Sequence, residues 1–277
     1  MPNKIKKPLI MGILNVTTDS FYDGAKYLDE EKAIQHAMQL INEGADIIDI
    51  GAESTRPGAE AISPEIEIER VEKIIKKLSK TIKTTSKECP SNPKISIDTY
   101  KSEVARKAIE AGADMINDIY ALRFDNTMIN VLKDFPETKI VLMHLQGTPE
   151  NMQINPCYKN VINEIIDFFK ERIDFCLSKG VSEKRIIIDP GIGFGKTFEH
   201  NQKIFRNIEL FHCFKLPILL GASRKSFINQ IYESKPQERL IGSLASSVVA
   251  FMRNIDIIRV HDVKEHKQLI ESLSWMF

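Results

Sequence analysis

The stretch Asp189-Pro190-Gly191-Ile192-Gly193-Phe194-Gly195-Lys196 follows directly on Ile186-Ile187-Ile188. A run of β-branched residues can be buried on both faces of a parallel sheet, whereas a carboxylate at its end is costly to bury unless it meets a ligand or a donor. Pro190 stops the strand. The alternate glycines let backbone N–H groups approach a ligand closely, and Phe194 between them offers a flat apolar wall. The same pattern describes a tight β-to-α turn whose Asp caps the next helix.

Polar endings of this kind recur along the chain. β-like runs at 9–14, 46–50, 95–97, 115–119, 140–143, 186–188, 218–220 and 257–260 end in or carry Asn15, Glu53-Ser54-Thr55-Arg56, Asp98, Asn117, His144, Asp189, Ser223-Arg224-Lys225, and Arg259 with His261. Singly, such a carboxylate caps a helix and such a His is a satisfied structural residue. Together, eight polar endings favour one shared site.

Asp98, Asn117, Asp189 and Lys225 have the mixed polarity of a pterin or purine edge. A carboxylate accepts two parallel N–H bonds, Asn117 supplies a donor and an acceptor, and Lys225 can donate to a ring carbonyl or nitrogen. Arg56, Arg259 and His261 are cations suited to a diphosphate. No Ser or Cys sits in a nucleophile elbow and no H-E-x-x-H occurs, so displacement of diphosphate is better supported than acyl transfer or zinc hydrolysis.

The elements that must position these groups alternate strictly between β and α, which implies right-handed crossovers and a parallel sheet. Eight repeats favour closure into a (β/α)8 TIM barrel, one domain over residues 1–277, with its site at the C-terminal ends of the strands. Ile68, Val71, Ile75, Leu78 and Ile82 mark one helix face behind Pro64. Val161, Ile165, Phe168, Phe169, Ile173, Cys176 and Leu177 mark another, ended by Gly180, and Leu269, Ile270 and Leu273 anchor a terminal helix. The Lys- and Thr-rich residues 81–93 read as a surface loop.

The balance of 38 basic against 38 acidic side chains leaves no electrostatic footprint for nucleic acid or anionic lipid. No apolar run approaches a membrane span, and the short one behind Lys4, Lys6 and Lys7 lacks a cleavage site and reads as a first strand. Cys89, Cys157, Cys176 and Cys213 are too dispersed for a zinc site or a disulfide framework, which fits reduced thiols in a cytoplasmic protein.

Several motifs also carry a resemblance. Ile13-Leu14-Asn15-Val16-Thr17-Thr18-Asp19-Ser20-Phe21, Glu53-Ser54-Thr55-Arg56-Pro57-Gly58, Met143-His144-Leu145-Gln146-Gly147-Thr148-Pro149, the Asp189–Lys196 stretch, Ser223-Arg224-Lys225 and Arg259-Val260-His261-Asp262 occur in the order found in dihydropteroate synthases, and the chain resembles that family nearly end to end. The resemblance implies a barrel that joins 6-hydroxymethyl-7,8-dihydropterin diphosphate to 4-aminobenzoate, with a Mg²⁺ requirement and a homodimer. Asp98, Asn117, Met143, Asp189, Phe194 and Lys225 would then bind the pterin. Asn15 would contact Mg²⁺, and Asn15, Thr55, Arg56, Arg259 and His261 would receive the diphosphate. Phe21, Thr55, Pro57, Phe194 and Ser226 would meet the aminobenzoate, Ser226 at a helix N-terminus that favours its carboxylate. Arg259, His261, Arg56 and Lys225 would carry the catalysis, in a dissociative displacement without a covalent enzyme intermediate. Competition by sulfonamides is a further implication.

The chain departs from the family pattern at Thr18, where Pro is usual, at Tyr120, where a small residue is usual, and at Ser243, where Thr is usual. None of these is expected to touch a residue assigned to pterin, Mg²⁺ or diphosphate. Two rival readings remain: a pterin-binding methyltransferase-like barrel, which would not need Arg56 and Arg259, and a catalytically silent pterin-binding protein.

Overall fold

The computed structural model describes residues 6–16, 26–53, 61–85 and 92–277. Among them, β1 (Leu9–Asn15), β2 (Ile47–Gly51), β3 (Lys94–Asp98), β4 (Met115–Asp118), β5 (Lys139–Met143), β6 (Ile186–Asp189), β7 (Leu219–Leu220) and β8 (Ile257–Val260) form one parallel sheet, ordered β6-β5-β4-β3-β2-β1-β8-β7. The two ends of this order meet at a single bridge between Ile188 and Ile218, beside a 3.0 Å bond from the Ile188 N–H to the Pro217 carbonyl. The sheet thus closes on itself as a (β/α)8 barrel, with the two-residue β7 as its shortest stave.

Helices α1 (Lys26–Asn42), α2 (Pro64–Thr85), α3 (Ser102–Ala111), α4 (Met128–Asp134), α5 (Val161–Ser178), α6 (Phe198–Arg206), α7 (Phe227–Ile231), α8 (Leu240–Met252) and α9 (Val263–Met276) lie between and after the strands. None of the described helices is long and apolar enough to cross a membrane. In α2, Val71, Ile75, Leu78 and Ile82 are buried as their spacing predicts. That stripe corrects the expectation of a loop over 81–93. Ile82 extends the i, i+4 series by one turn, and the Thr81 and Thr84 hydroxyls donate to the carbonyls of Lys77 and Lys80, so Thr81 to Thr85 are helical. Residues 86–91 lie outside the described set. The Asn160 side chain caps α5 by accepting from the Ile162 and Asn163 N–H groups. Leu177, expected on the buried face of α5, is exposed, because the stripe has already turned through Ile173 and Cys176.

Side chains alternate across the barrel wall. Ile10, Ile48, Ile50, Ile95, Ile97, Ile116, Ile140, Leu142, Ile186, Ile188, Ile258 and Val260 pack outward against the helices. Met11, Ile47, Met115, Val141, Ile187, Leu219 and Ile257 form a separate inner cluster, the plug of the barrel, with buried Ser96 standing in for an apolar residue on β3. Two residues further along each strand the inward positions become Ile13, Asp49, Asp98, Asn117, Met143, Asp189, Gly221 and Arg259. One step of the strand period therefore converts an oily plug into a polar floor, at the C-terminal mouth where barrel enzymes build their sites.

Candidate active site

Arg259 organises one half of that floor. Its Nε donates to Asp49 Oδ2 at 2.6 Å and its Nη2 to Asp98 Oδ2 at 2.7 Å. Asn117 Nδ2 donates to the same Asp49 oxygen at 3.0 Å. Asp98 and Asn117 are direct partners across the β3–β4 ladder, so the acid and the amide lie side by side. Burial pushes the Asp98 carboxyl upward while the Arg259 guanidinium opposes the rise. Burial also disfavours the Arg259 charge, but the two carboxylates outweigh it and hold that group above its ordinary value.

Asp189, Lys225 and Phe194 make the other half. Asp189 Oδ1 accepts the Gly191 N–H at 2.7 Å, and Oδ2 lies 3.8 Å from where a Cβ on Gly221 would stand. One oxygen thus closes the turn and the other faces the barrel interior, whereas the next helix, α6, is capped by Thr197, whose side chain accepts the His200 N–H; the expectation that Asp189 caps that helix is corrected. Lys225 crosses from the segment after β7. Its Nζ donates to the Ile192 carbonyl and sits 4.0 Å above the Phe194 ring. Burial pushes this amine down to about 7, against the attraction of Asp189. Burial raises the Asp189 carboxyl in turn, with Lys225 opposing.

Met143 pairs with Asp189 across the β5–β6 ladder and is buried with Tyr100, Ile119, Leu145 and Met152, against which Tyr120 and Phe194 pack. Tyr120 therefore packs against the cluster that holds Met143, with its ring 5.0 Å from that of Tyr100. The glycines act differently from the ligand-approach reading. A Cβ on Gly191 would overlap the His144 carbonyl and one on Gly195 the Gln146 carbonyl, and both have left-handed φ angles, +66° and +63°. They admit the neighbouring loop rather than a ligand.

The rim is less uniform. His261 Nδ1 pairs with the Ser223 hydroxyl at 3.0 Å, and the His261 N–H donates to the same oxygen at 3.2 Å. Asn15 is exposed at the end of β1. Ser226 is exposed at the start of α7, but α7 has only five residues and Ser226 itself is helical without a side-chain cap. The helix-terminus attraction expected there is correspondingly small, since a single turn sums few peptide dipoles. Phe21, Thr55, Arg56 and Pro57 lie outside the described residues.

Three further features carry weak sequence signals. Asp49 is a lone acid within an apolar strand, fully buried. Lys196, buried behind Phe194, donates to the Phe194 and His144 carbonyls at 2.9 and 3.2 Å and meets His144 Nδ1 at 2.9 Å, fastening the loop after β6 to the loop after β5. Lys101 Nζ meets Glu53 at 2.5 Å, Glu67 at 2.7 Å and the Ile62 carbonyl at 2.7 Å, while Glu53 also accepts from the Tyr100 hydroxyl and the Ile62 N–H. This knot joins residues 53 and 62. Glu67 could have been noticed one turn before Val71, on the apolar face of α2.

Residues 11–261 match the family model described as pterin binding enzyme. The chain is similar to the dihydropteroate synthase of Escherichia coli strain K12, at 43% identity over 263 residues covering 94% of this chain and 89% of that protein. Among solved structures, it resembles a Clostridium difficile dihydropteroate synthase obtained in the presence of pteroic acid, with a TM-score of 0.87, 39% identity, and coverage of 100% and 99%. It equally resembles a Yersinia pestis dihydropteroate synthase in complex with a sulfonamide drug, with a TM-score of 0.87, 38% identity, and coverage of 98% and 94%. With the order of its motifs, its barrel and its polar floor agreeing along nearly its whole length, the chain belongs to the pterin-binding enzymes and, within them, to the dihydropteroate synthases.

Proposed function

We propose that this protein forms the bond between the amino nitrogen of 4-aminobenzoate and the exocyclic carbon of 6-hydroxymethyl-7,8-dihydropterin diphosphate, giving 7,8-dihydropteroate on the way to folate. The observation that carries the reading is the polar floor itself: Asp98, Asn117 and Arg259 face Asp189 and Lys225 across a barrel whose deeper layer is wholly apolar but for Ser96. Two carboxylates and an amide complement the amino and N–H edge of a pterin, Lys225 its carbonyl or ring nitrogen, and Met143 and Phe194 its faces.

The chemistry follows from charge. An arylamine is neutral and nucleophilic at pH 7, so the residues' task is to stabilise the departing group. The C–O bond breaks with its electron pair leaving on diphosphate, positive charge spreads into the dihydropterin ring, the C–N bond forms, and the arylammonium proton is released to water. Asp98 and Asp189 favour the cationic ring, while His261, the remaining N–H groups of Arg259, and Arg56 favour the diphosphate.

Asn15 suits a Mg²⁺ contact, because its exposed amide offers a hard oxygen and Mg²⁺ commonly takes one or two protein ligands with phosphate and water completing its shell. No group of three or more His, Cys, Asp or Glu among the described residues could form an all-protein cage. When bound, the ion would supply charge neutralisation for the leaving diphosphate. A homodimer is supported by α8, which carries no charged residue yet leaves Ile241 and Met252 exposed, and by α9, which packs on α8 and leaves Trp275 and Met276 exposed. Free Cys157, Cys176 and Cys213 support a reducing, cytoplasmic setting.

The test mixes purified protein with pterin diphosphate, 4-aminobenzoate and Mg²⁺ and measures dihydropteroate and diphosphate. Equal amounts of both are expected. Folded protein that binds the pterin and yields neither would be a silent binder.

A further inference from the structure

We propose that Asp49 is a positioning residue of the pterin site, which decides the edge that Asn117 presents and holds the plane of Arg259; this rests on the pterin reading above. Asp49 faces inward from β2 between Ile47 and Gly51 and is completely shielded from solvent. Its Oδ2 receives both Arg259 Nε and Asn117 Nδ2, and its Oδ1 has no hydrogen-bond partner among the described residues. A carboxylate so deeply buried is tolerated only with compensation, and among the described residues its hydrogen bonds come from two side chains of the substrate floor.

The consequence for Asn117 is chemical. An ionised carboxylate only accepts, so an amide 3.0 Å from it must turn its NH₂ group that way. One N–H of Asn117 is thereby spent on Asp49, and its carbonyl oxygen points away. The pocket then presents the Asn117 oxygen beside the Asp98 carboxylate, a paired acceptor edge matched to amino and ring N–H donors. Without Asp49 the amide could rotate by half a turn and present donors instead, since the two orientations have nearly the same shape. For Arg259, bonds to two different carboxylates from adjacent atoms of the guanidinium fix the orientation of the fork, leaving its other N–H groups for substrate.

Calorimetric titration distinguishes this role from a scaffolding one. The probes are 6-hydroxymethylpterin and the analogue that carries a carbonyl in place of its 2-amino group. The wild type should prefer the pterin. In Asp49→Asn the pterin affinity should fall about 10- to 100-fold, the scale of one charge-assisted hydrogen bond, and the ratio between the two probes should shrink towards one. A fall with the ratio unchanged, or one that merely follows a lowered melting temperature, would overturn the proposal. A second measurement needs no variant: in isotope-labelled wild type, one proton of the Asn117 side-chain NH₂ should exchange slowly and the other quickly. Two rapidly exchanging protons would overturn it as well. Failure of the wild type to bind either probe would instead remove the pterin reading itself.

Discussion

Arg259 and Asp49 are 210 residues apart in the chain and 2.6 Å apart in the barrel. Because β8 and β2 both flank β1, the closure of the sheet places the last strand's cation beside the second strand's acid. Asp98 on β3 shares the same guanidinium at 2.7 Å. Arg259 is therefore a structural cation of the floor, apart from the diphosphate role proposed for it.

Arg259→Ala should slow turnover and also destabilise the fold by about 3 kcal/mol or more, because the buried Asp49 and the partly buried Asp98 lose their counter-ion. Urea unfolding checks this. Unchanged stability would mean that Asp49 and Asp98 do not depend on Arg259 in the free protein.

Asp189→Ala should weaken pterin binding by about 100-fold or more, since it deletes an acceptor for a donor edge and leaves the Gly191 N–H without its partner. Calorimetry gives the affinity, and circular dichroism should show the barrel intact. Near-normal affinity would exclude Asp189 from pterin recognition.

Binding of the pterin diphosphate at pH 8 should take up protons. Lys225 is held down to about 7 in the free protein, so at pH 8 most of it is neutral, and an anionic ligand nearby raises it again. Titrations in buffers of different ionisation enthalpy measure the uptake. It should fade below about pH 6, where Lys225 is already charged, and should shrink in Lys225→Met at pH 8.

Lys101→Met should cost about 3–5 kcal/mol, because the lysine's 2.5 and 2.7 Å bonds to Glu53 and Glu67 are the ion pairs of two buried or nearly buried acids. Adding Glu67→Gln should recover part of the loss, since one uncompensated charge is then gone. Chemical denaturation of the single and double variants provides the comparison.

Gly191→Ala should lower stability by about 2 kcal/mol or more, since the added carbon meets the His144 carbonyl and φ is +66°. Gly180→Ala is the control: its φ is also positive, +86°, but among the described residues nothing beyond its chain neighbours lies within 4 Å of the added carbon, so the melting temperature should fall less.

The amino-acid sequence by itself determined the alternation of strand and helix, the inward period of each strand, and the polar residues two positions beyond the plug. Those are local properties: a period of two puts Met11 and Ile13, or Ile187 and Asp189, on one face whatever the strand's neighbours. The motif order alone also carried the family. Only the tertiary structure decided which polar residues meet. Closure brings Arg259 and Asn117 to one oxygen of Asp49, and α2 places Glu67 against Lys101, and no local run of residues shows either pairing. The glycines after Asp189 had two readings, and their purpose emerged only when the loop after β5 was seen to occupy the space they leave. Pairings across a barrel depend on strand order and register, and these are set by the packing of the whole sheet rather than by any local run of residues.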